Sequence, residues 1–247
     1  REVLTYNVND VLVTEKLIEM RAPYLNIKMD LGDRIGLPRD KSVSLTNASL
    51  AAVFLGAEKR IFTDDRDLQY PDTIDWNNVP QEVEMFFRQA ADKTITDEQL
   101  WKKSYVHDIK GMPTKYGWGG VHGAIKNYIA ESDKDWIIVN YDVASLYPSL
   151  MIEYNLISRA VKDYNSFIKV KAERLEFKRL GLKAKDLGNK LILNITYGAS
   201  GLKSNPLYDH RNNKSVCLSG QLLMTDLVYM YVKNVDLIEL INFNTDG

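Results

Sequence analysis

Two aspartates occupy positions at which a carboxylate could do chemistry. Asp142 directly follows the β-branched and aromatic run Trp136–Tyr141, and Asp246 comes shortly after a second apolar run, Val235–Phe243. Such runs predict strands, so we expect each carboxylate at a strand end. Two strand-end carboxylates on one sheet can bind two divalent ions about 4 Å apart, the geometry of two-metal phosphoryl transfer. Mg²⁺ prefers such oxygen ligands and retains waters, so few carboxylates suffice.

Each aspartate also has a plainer interpretation. An aspartate after a strand commonly forms a turn or caps a helix. Asp246 is followed by glycine, and Asp-Gly is a common two-residue hairpin turn. The pair is therefore more informative than either residue alone.

A basic segment could supply the complement to a metal site. Residues 159–190 hold ten Lys and Arg against four Asp and Glu, whereas the whole chain has a formal net charge of −1. Several polar residues share helical faces at i, i+4 and i+7 spacing. They are Lys183, Lys190, Asn194 and Tyr197 on one predicted helix, and Arg174 and Lys178 on the helix before it. Such cations could hold a polyphosphate, although a solvated basic face is the plainer alternative.

Composition limits the class of protein. The chain has 247 residues, of which 45% are hydrophobic and 26% charged, which is typical of a globular protein with a substantial core. Cys217 is the single cysteine, which excludes an internal disulfide and a multi-cysteine zinc site and predicts a cytoplasmic rather than secreted protein. We find no apolar run near the ~18 residues that span a bilayer and expect no membrane association. Because the chain begins at Arg1 and ends at Thr-Asp-Gly, we expect an internal piece of a longer polypeptide.

The order of predicted elements indicates an α+β fold. Periodicity and turn residues predict surface connection over 63–80 and a boundary in the glycine-rich stretch 104–121. Ser145 begins a turn into a helix whose first turn tolerates Pro148. Helices are predicted over Val11–Arg21, Ser44–Leu55, Gln81–Ala91 and 215–232, with a basic helical pair within 159–190, and strands over Trp136–Tyr141 and Val235–Phe243.

Three motifs resemble those of family B DNA polymerases of the bacteriophage type. Asp142-Val-Ala-Ser-Leu-Tyr-Pro-Ser is similar to motif A, D-x-x-S-L-Y-P-S. Lys190-Leu-Ile-Leu-Asn-Ile-Thr-Tyr-Gly is similar to motif B, K-x-x-x-N-S-x-Y-G, and Asn244-Thr-Asp-Gly to motif C, Y-x-D-T-D-S. They occur in the family's order. Tyr116-Gly-Trp-Gly-Gly also resembles the Y-x-G-G linker before the polymerase domain, with one extra residue, and Tyr6-Asn-Val-Asn-Asp resembles the third exonuclease motif, Y-x-x-x-D.

The resemblance implies a partial polymerase with an antiparallel palm sheet and helical fingers. Residues 1–112 would be the mainly helical C-terminal part of a 3′–5′ exonuclease domain with connecting helices. Residues 113–158 and 201–247 would be the two parts of the palm, ending before the thumb, and residues 159–200 the fingers. Tyr6 and Asp10 would be remnants of the exonuclease site.

The resemblance also implies roles for individual residues in template-directed DNA synthesis from deoxynucleoside triphosphates. Asp142 and Asp246, with the Val143 carbonyl, would hold two Mg²⁺ ions, which Mn²⁺ could replace. Tyr147 would exclude a ribonucleotide 2′-hydroxyl. Nucleotide phosphates would be bound by Arg174, Lys178, Lys190 and the amides of Ser145 and Leu146, and primer–template DNA and the nascent base pair would be contacted by Gly119, Gly120, Asn194, Tyr197 and Gly198.

The chain departs from the family pattern at two places. Ile195 replaces the motif B serine, and Asn244 replaces the first aspartate of motif C, which leaves Asp246. A non-catalytic DNA- or nucleotide-binding remnant of a polymerase therefore stays an alternative. An exonuclease is not expected, because the upstream acidic motifs are absent. Only 48 positions separate Asp142 from Lys190, and the family's protein-primed members carry insertions there, so no protein primer is expected.

Overall fold

The computed structural model describes residues 2–245, with side chains from Thr5 onward, and contains two compact units. Unit 1 combines the chain through Lys59 with Ala160–Leu207, and unit 2 combines Arg60–Arg159 with the chain from Tyr208 onward. The divisions thus fall at 59/60, 159/160 and 207/208. Both helices and an antiparallel sheet are present, which agrees with the α+β class at that level.

The helices of the described chain are numbered here in chain order. They are α1 (Glu2–Asp33), α2 (Arg39–Ser44), α3 (Asn47–Phe54), α4 (Gln81–Arg88), α5 (Asp97–Trp101), α6 (Leu146–Glu153), α7 (Tyr164–Arg179), α8 (Lys183–Ser200) and α9 (His210–Asn234), with a 3₁₀ turn at Gln89–Ala91. Every helix predicted from periodicity is confirmed, as is Pro148 in the first turn of α6. The stretch 63–80 contains no helix or strand, as predicted.

Unit 1 is helical, and α8 forms its centre. It packs against α7, α3 and α1. At the crossing with α1, a Cβ at Gly188 would lie 3.4 Å from Ile27 Cγ2 and 3.6 Å from Leu31 Cδ2, so Gly188 faces the apolar side chains of α1. The buried Asn189 of α8 bonds to α7 and to the residue that follows α1, because its Nδ2 donates to Val170 O at 3.0 Å and its Oδ1 accepts from Arg34 Nη1 at 2.6 Å.

The two ends of α1 differ in burial. Ile27 and Leu31 lie in the core of unit 1, whereas the apolar side chains between Tyr6 and Met20 are exposed. Lys28 is also buried, where its Nζ donates to the carbonyls of Val43 and Leu45. Burial lowers the pKa of the Lys28 ammonium.

Unit 2 contains a four-stranded antiparallel sheet in the order β1-β2-β3-β4. The strands are β1 (Ser104–Ile109), β2 (Met112–Gly117), β3 (Gly120–Ala124) and β4 (Asn242–Phe243). Lys110 and Gly111 join β1 to β2 with positive φ angles of 49° and 87°, as a tight hairpin requires. The glycine-rich stretch 104–121, for which a boundary was predicted, forms the hairpins β1–β2 and β2–β3 within unit 2.

An aromatic cluster and α9 form the core of unit 2. The cluster joins the rings of Phe86, Phe87, Tyr116 and Trp118, with Phe86 and Trp118 stacked at 4.8 Å between centroids. The inner face of α9 is buried against it. By length and composition α9 could cross a membrane, but more than half of its apolar window is buried inside the unit, as in the core helix of a globular domain.

A network of ion pairs lies at the start of α9. Asp209 is fully buried and accepts from the backbone N, Nε and Nη2 of Arg159 at 2.8–2.9 Å. It also caps α9 by accepting from Asn212 N. Arg159 Nη1 and Arg211 Nη1 both donate to Asp64 Oδ2, at 2.7 and 2.9 Å. The Arg159 hydrogen bond holds the pKa of Asp64 below its ordinary value.

The predicted strand at Trp136–Tyr141 is wrong. This run has neither helix nor strand structure, and Ile137 and Val139 are exposed. A local turn holds its start, where Trp136 N donates to Asp133 Oδ1 at 2.9 Å. High strand propensity is realised only when a neighbouring strand supplies ladder hydrogen bonds, and the described sheet supplies none to this run.

The second predicted strand, Val235–Phe243, is wrong over most of its length. Only Asn242–Phe243 pairs, with β3, and Ile125 N donates to Ile241 O at 3.1 Å just before it. Leu237 is largely exposed. The alternation of apolar and acidic residues in this run therefore does not correspond to one buried face.

Candidate functional site

Asp142 lies on an exposed stretch of unit 2 that has neither helix nor strand structure. The preceding residue, Tyr141, stacks on Tyr231 of α9 at 5.7 Å between ring centroids. The Asp142 side chain itself is exposed, and within residues 5–245 it makes no hydrogen bond or ion pair. Its two carboxylate oxygens are therefore available to a ligand.

A sharp turn at Ser145 connects this stretch to α6. Ser145 has φ 58°, in the left-handed region that is uncommon for a residue with a side chain. Its carbonyl accepts from both the backbone N and Oγ of Ser149 at 2.9 Å, which fixes the first turn of the helix. Leu146 is buried and Val143 half-buried, so apolar side chains anchor the turn on both sides of Ser145.

Tyr147, in the first turn of α6, packs on α9. Its ring lies beside Gly220, and its hydroxyl donates to Cys217 Sγ at 3.8 Å. Cys217 Sγ in turn donates to Trp118 O at 3.6 Å. The sequence predicted Tyr147 but missed its two neighbours on α9, although a glycine and a small polarisable residue three positions apart inside a predicted helix are a packing signal.

The motif C segment lies against β3. Asn244 Oδ1 and His122 Nδ1 share a hydrogen bond of 2.7 Å, and Thr245 Oγ1 donates to Val121 O at 3.4 Å. A Cβ at Gly120 would lie only 2.7 Å from Thr245 Oγ1, so a larger residue there would displace the Thr245 side chain. The structure thus brings the predicted linker glycine and motif C together across more than a hundred residues.

Two other predicted residues belong to the same region. Gly119 is the exposed residue of the turn between β2 and β3. Asp246, predicted as the second metal ligand, lies outside the described residues. Unit 2 therefore leaves Asp142 and Gly119 exposed, whereas Ser145, just before α6, is half-buried.

In unit 1, α8 presents the predicted basic face to solvent. Lys183, Lys190 and Asn194 are exposed at helical spacing, and so is Gly198. Ile192, Leu193 and Thr196 on the opposite face are buried, which fixes the rotation of the helix. Tyr197 is half-buried at the edge of the exposed face.

The two predicted cations on α7 differ in their surroundings. Lys178 is exposed. Arg174 Nε instead donates to Asp186 Oδ1 at 3.0 Å, and only 15% of the Arg174 side chain is accessible. Since Asp186 is on α8, this ion pair joins the two helices, a partner that the i, i+4 spacing on α7 did not predict.

The predicted exonuclease residues lie in the exposed half of α1. Tyr6 and Asp10 are one helical turn apart, and both side chains are exposed. Neither is near the buried part of α1 that begins at Ile27.

The donor atoms near Asp142 limit how a metal ion could bind. Among residues 5–245, no three His, Cys, Asp or Glu side chains lie close enough together to hold a metal ion. Asp142 nevertheless fits Mg²⁺ as a single ligand, because its carboxylate oxygens are exposed and bound by no other described group. A magnesium site here needs a further ligand, and the one predicted is Asp246.

Comparison with known proteins assigns no family. No protein-family model matches this chain, and no curated protein matches it in sequence.

Proposed function

We propose that the protein is the palm and fingers portion of a family B DNA polymerase of the bacteriophage type. It adds deoxynucleotides to a primer 3′-hydroxyl, as directed by a template, in the bacterial cytoplasm. The observation that carries the proposal is the ordered set of three motifs, with Asp142 of motif A and Lys190 of motif B both exposed. The helical pair α7–α8 and the antiparallel sheet of unit 2 are compatible with fingers and palm.

Asp142 and Asp246 would hold two Mg²⁺ ions, with help from the Val143 carbonyl. When bound, the ions lower the pKa of the primer hydroxyl and neutralise charge on the reacting phosphate. Asp142 contributes a carboxylate that no described group competes for. Its position before the fixed turn at Ser145 keeps it close to the start of α6.

Phosphate binding would use exposed cations and backbone amides. Lys190 and Lys178 would supply positive charge, since both side chains are exposed. The amides at Ser145 and Leu146 lie at the start of α6, where backbone N–H groups without intrahelical partners attract anions. Arg174 would contribute from its ion pair with Asp186, by fixing α7 against α8 and by adding positive charge.

Residues of motif A and motif B would contact the sugar and the base of the nucleotide. The Tyr147 ring would occupy the space of a 2′-hydroxyl and so exclude ribonucleotides. On α8, Asn194, Tyr197 and Gly198 would contact the nascent base pair, where the missing glycine side chain permits close approach. The turn at Gly119 and Gly120 would contact the DNA.

A second candidate function is a DNA- or nucleotide-binding remnant without turnover. Asn244 favours it, because motif C has an aspartate there. In the structure the Asn244 amide has a local partner, His122, so the position fixes motif C on β3 whether or not it serves chemistry.

Primer extension with single nucleotides separates the two candidates. The purified protein is given a primer–template and one deoxynucleoside triphosphate at a time, with Mg²⁺ or with a chelator. We expect the primer to be extended only by the complementary nucleotide and only with Mg²⁺. Binding of primer–template without extension by any nucleotide, with Mg²⁺ or with Mn²⁺, would contradict the polymerase and support the remnant.

A further inference from the structure

The ring of Tyr147 packs against α9 at Gly220, where the residue has no side chain. A Cβ at Gly220 would lie 3.2 Å from Tyr147 Cε1, and 3.4 and 3.5 Å from Leu150 Cδ1 and Leu146 Cδ2. The first of these distances is tighter than most carbon contacts tolerate. The edge of the Tyr147 ring therefore lies directly against the backbone of α9.

The hydroxyl end of the same ring is held by Cys217. Tyr147 Oη donates to Cys217 Sγ at 3.8 Å, and Gln221 Nε2 donates to the same sulfur at 3.4 Å. The thiol, which is 1% exposed, donates onward to Trp118 O at 3.6 Å. Each sulfur contact is weak, but a buried thiol surrounded by three polar groups has little freedom to move.

We propose that Cys217 and Gly220 are positioning residues that set sugar selectivity through Tyr147. This inference rests on the proposed function, because it concerns the residue that would exclude the 2′-hydroxyl. Steric exclusion requires that the excluding group cannot move aside. The two residues fix the ring at two points, and they lie one helical turn apart on the same face of α9.

The two positions should respond to substitution in opposite directions. Gly220→Ala pushes the ring away from α9 and into the pocket that it limits, so the KM for a deoxynucleotide should rise about threefold and ribonucleotide use should fall. Cys217→Ala removes the sulfur that accepts from the Tyr147 hydroxyl and leaves space behind the ring, so the ribonucleotide-to-deoxynucleotide ratio of kcat/KM should rise about threefold to tenfold. Cys217→Ser keeps a hydrogen-bonding group and should restore part of the selectivity.

Ser219→Ala is the matched control on α9. Ser219 is buried beside both positions, but its Oγ donates to Gln69 O at 3.4 Å rather than contacting Tyr147. A merely structural effect of substitutions in α9 would appear in this control as well. A second control places Gly220→Ala and Cys217→Ala in a Tyr147→Val background, where both should lose their effect on the ratio.

A thiol-labelling experiment tests the contact without any polymerase activity. Because Cys217 is the only cysteine, an aromatic disulfide reagent reports on it alone. Tyr147→Ala should speed labelling of the folded protein at least about tenfold, whereas Ser219→Ala should not. An unchanged labelling rate in Tyr147→Ala would overturn the contact.

The two experiments together separate the possible failures. If the original protein extends a primer but Gly220→Ala and Cys217→Ala keep the ratio of the Ser219→Ala control, the positioning inference is overturned and the proposed function stands. If Tyr147→Ala exposes the thiol but neither the original protein nor any variant extends a primer, the proposed function is overturned, and the selectivity inference with it. Opposite shifts of the ratio together with faster labelling support the inference.

Discussion

Asp142 and Asp209 are both aspartates of unit 2, but their surroundings are opposite. Asp209 is fully buried, accepts three hydrogen bonds from Arg159 and caps α9. Asp142 is exposed and bound by no other described group. Motif A thus contains the exposed aspartate, whereas the buried Asp209, with its several partners, belongs to no motif. A carboxylate already satisfied by protein groups stabilises the fold, and one left open can bind a ligand.

The largest effect on stability should come from Asp209. Asp209→Ala leaves the Arg159 guanidinium without its buried partner and removes the cap of α9, so unfolding free energy should fall by about 3–5 kcal/mol. Chemical denaturation measures this. Asp163→Ala is the matched control, because Asp163 caps α7 with an exposed side chain, and its loss should cost only about 1 kcal/mol. Equal losses in the two variants would contradict the importance of the buried pairing.

Unit 1 likewise contains a cation that is paired within the protein, Arg174, and one that is exposed, Lys190. Arg174→Ala should lower unfolding free energy by about 1.5–3 kcal/mol, because a mostly buried charge-assisted hydrogen bond to Asp186 is lost. Lys190→Ala should leave stability unchanged and raise the nucleotide KM about tenfold, since an exposed cation is lost. Lys185→Ala, which changes another exposed cation of α8, controls for general charge. A stability loss in Lys190→Ala with unchanged KM would reverse the assignment.

Acidification should weaken the ion-pair network around Arg159 at the start of α9. The pKa of Asp64 is lowered in the folded protein, mainly by its hydrogen bond with Arg159, below the ordinary value of about 4. Its contribution to stability is therefore complete above about pH 4 and is lost as pH falls through the folded-state pKa. Asp64→Asn should reduce stability at neutral pH, and the difference from the original protein should shrink as pH falls below about 4. A stability difference between Asp64→Asn and the original protein that grows on acidification would contradict this prediction.

The smallest effect should come from Ile137. Its side chain is 80% exposed, so Ile137→Ser should change unfolding free energy by less than about 0.5 kcal/mol. Val121→Ser, on the buried face of β3, is the comparison and should cost several times more, because it removes a fully buried side chain. A loss in Ile137→Ser as large as in Val121→Ser would mean that the run is a buried strand after all.

The helices could be predicted from the sequence because their hydrogen bonds are local. Periodicity located α8 and its exposed Lys190 and Asn194, since the same pattern that buries Ile192 and Leu193 fixes the other face. A strand instead needs a hydrogen-bonding partner, which is often far away along the chain. The apolar run at 136–141 therefore predicted a strand that the structure does not form, and the run at 235–243 one that forms only at Asn242–Phe243, while the glycine-rich hairpins of β1–β3 were missed.

The candidate site could be predicted only as a list of residues. Motif spacing indicated Asp142 and Tyr147 but could not show that Arg174 is engaged by Asp186, or that Cys217 and Gly220 hold the Tyr147 ring. These partners are distant in sequence from the residues they contact, or lie on another helix. Packing across elements, rather than local pattern, determines them.

Single-turnover incorporation by Asp142→Asn tests the central claim most directly. The substitution removes a metal ligand without changing the size of the side chain, so the Mg²⁺-dependent rate of adding the complementary nucleotide should fall about a thousandfold or more, with unfolding free energy unchanged. Glu131→Gln neutralises another exposed acid of unit 2 and should keep the original rate. Incorporation by Asp142→Asn at the rate of Glu131→Gln would contradict the assignment of Asp142 as a catalytic metal ligand.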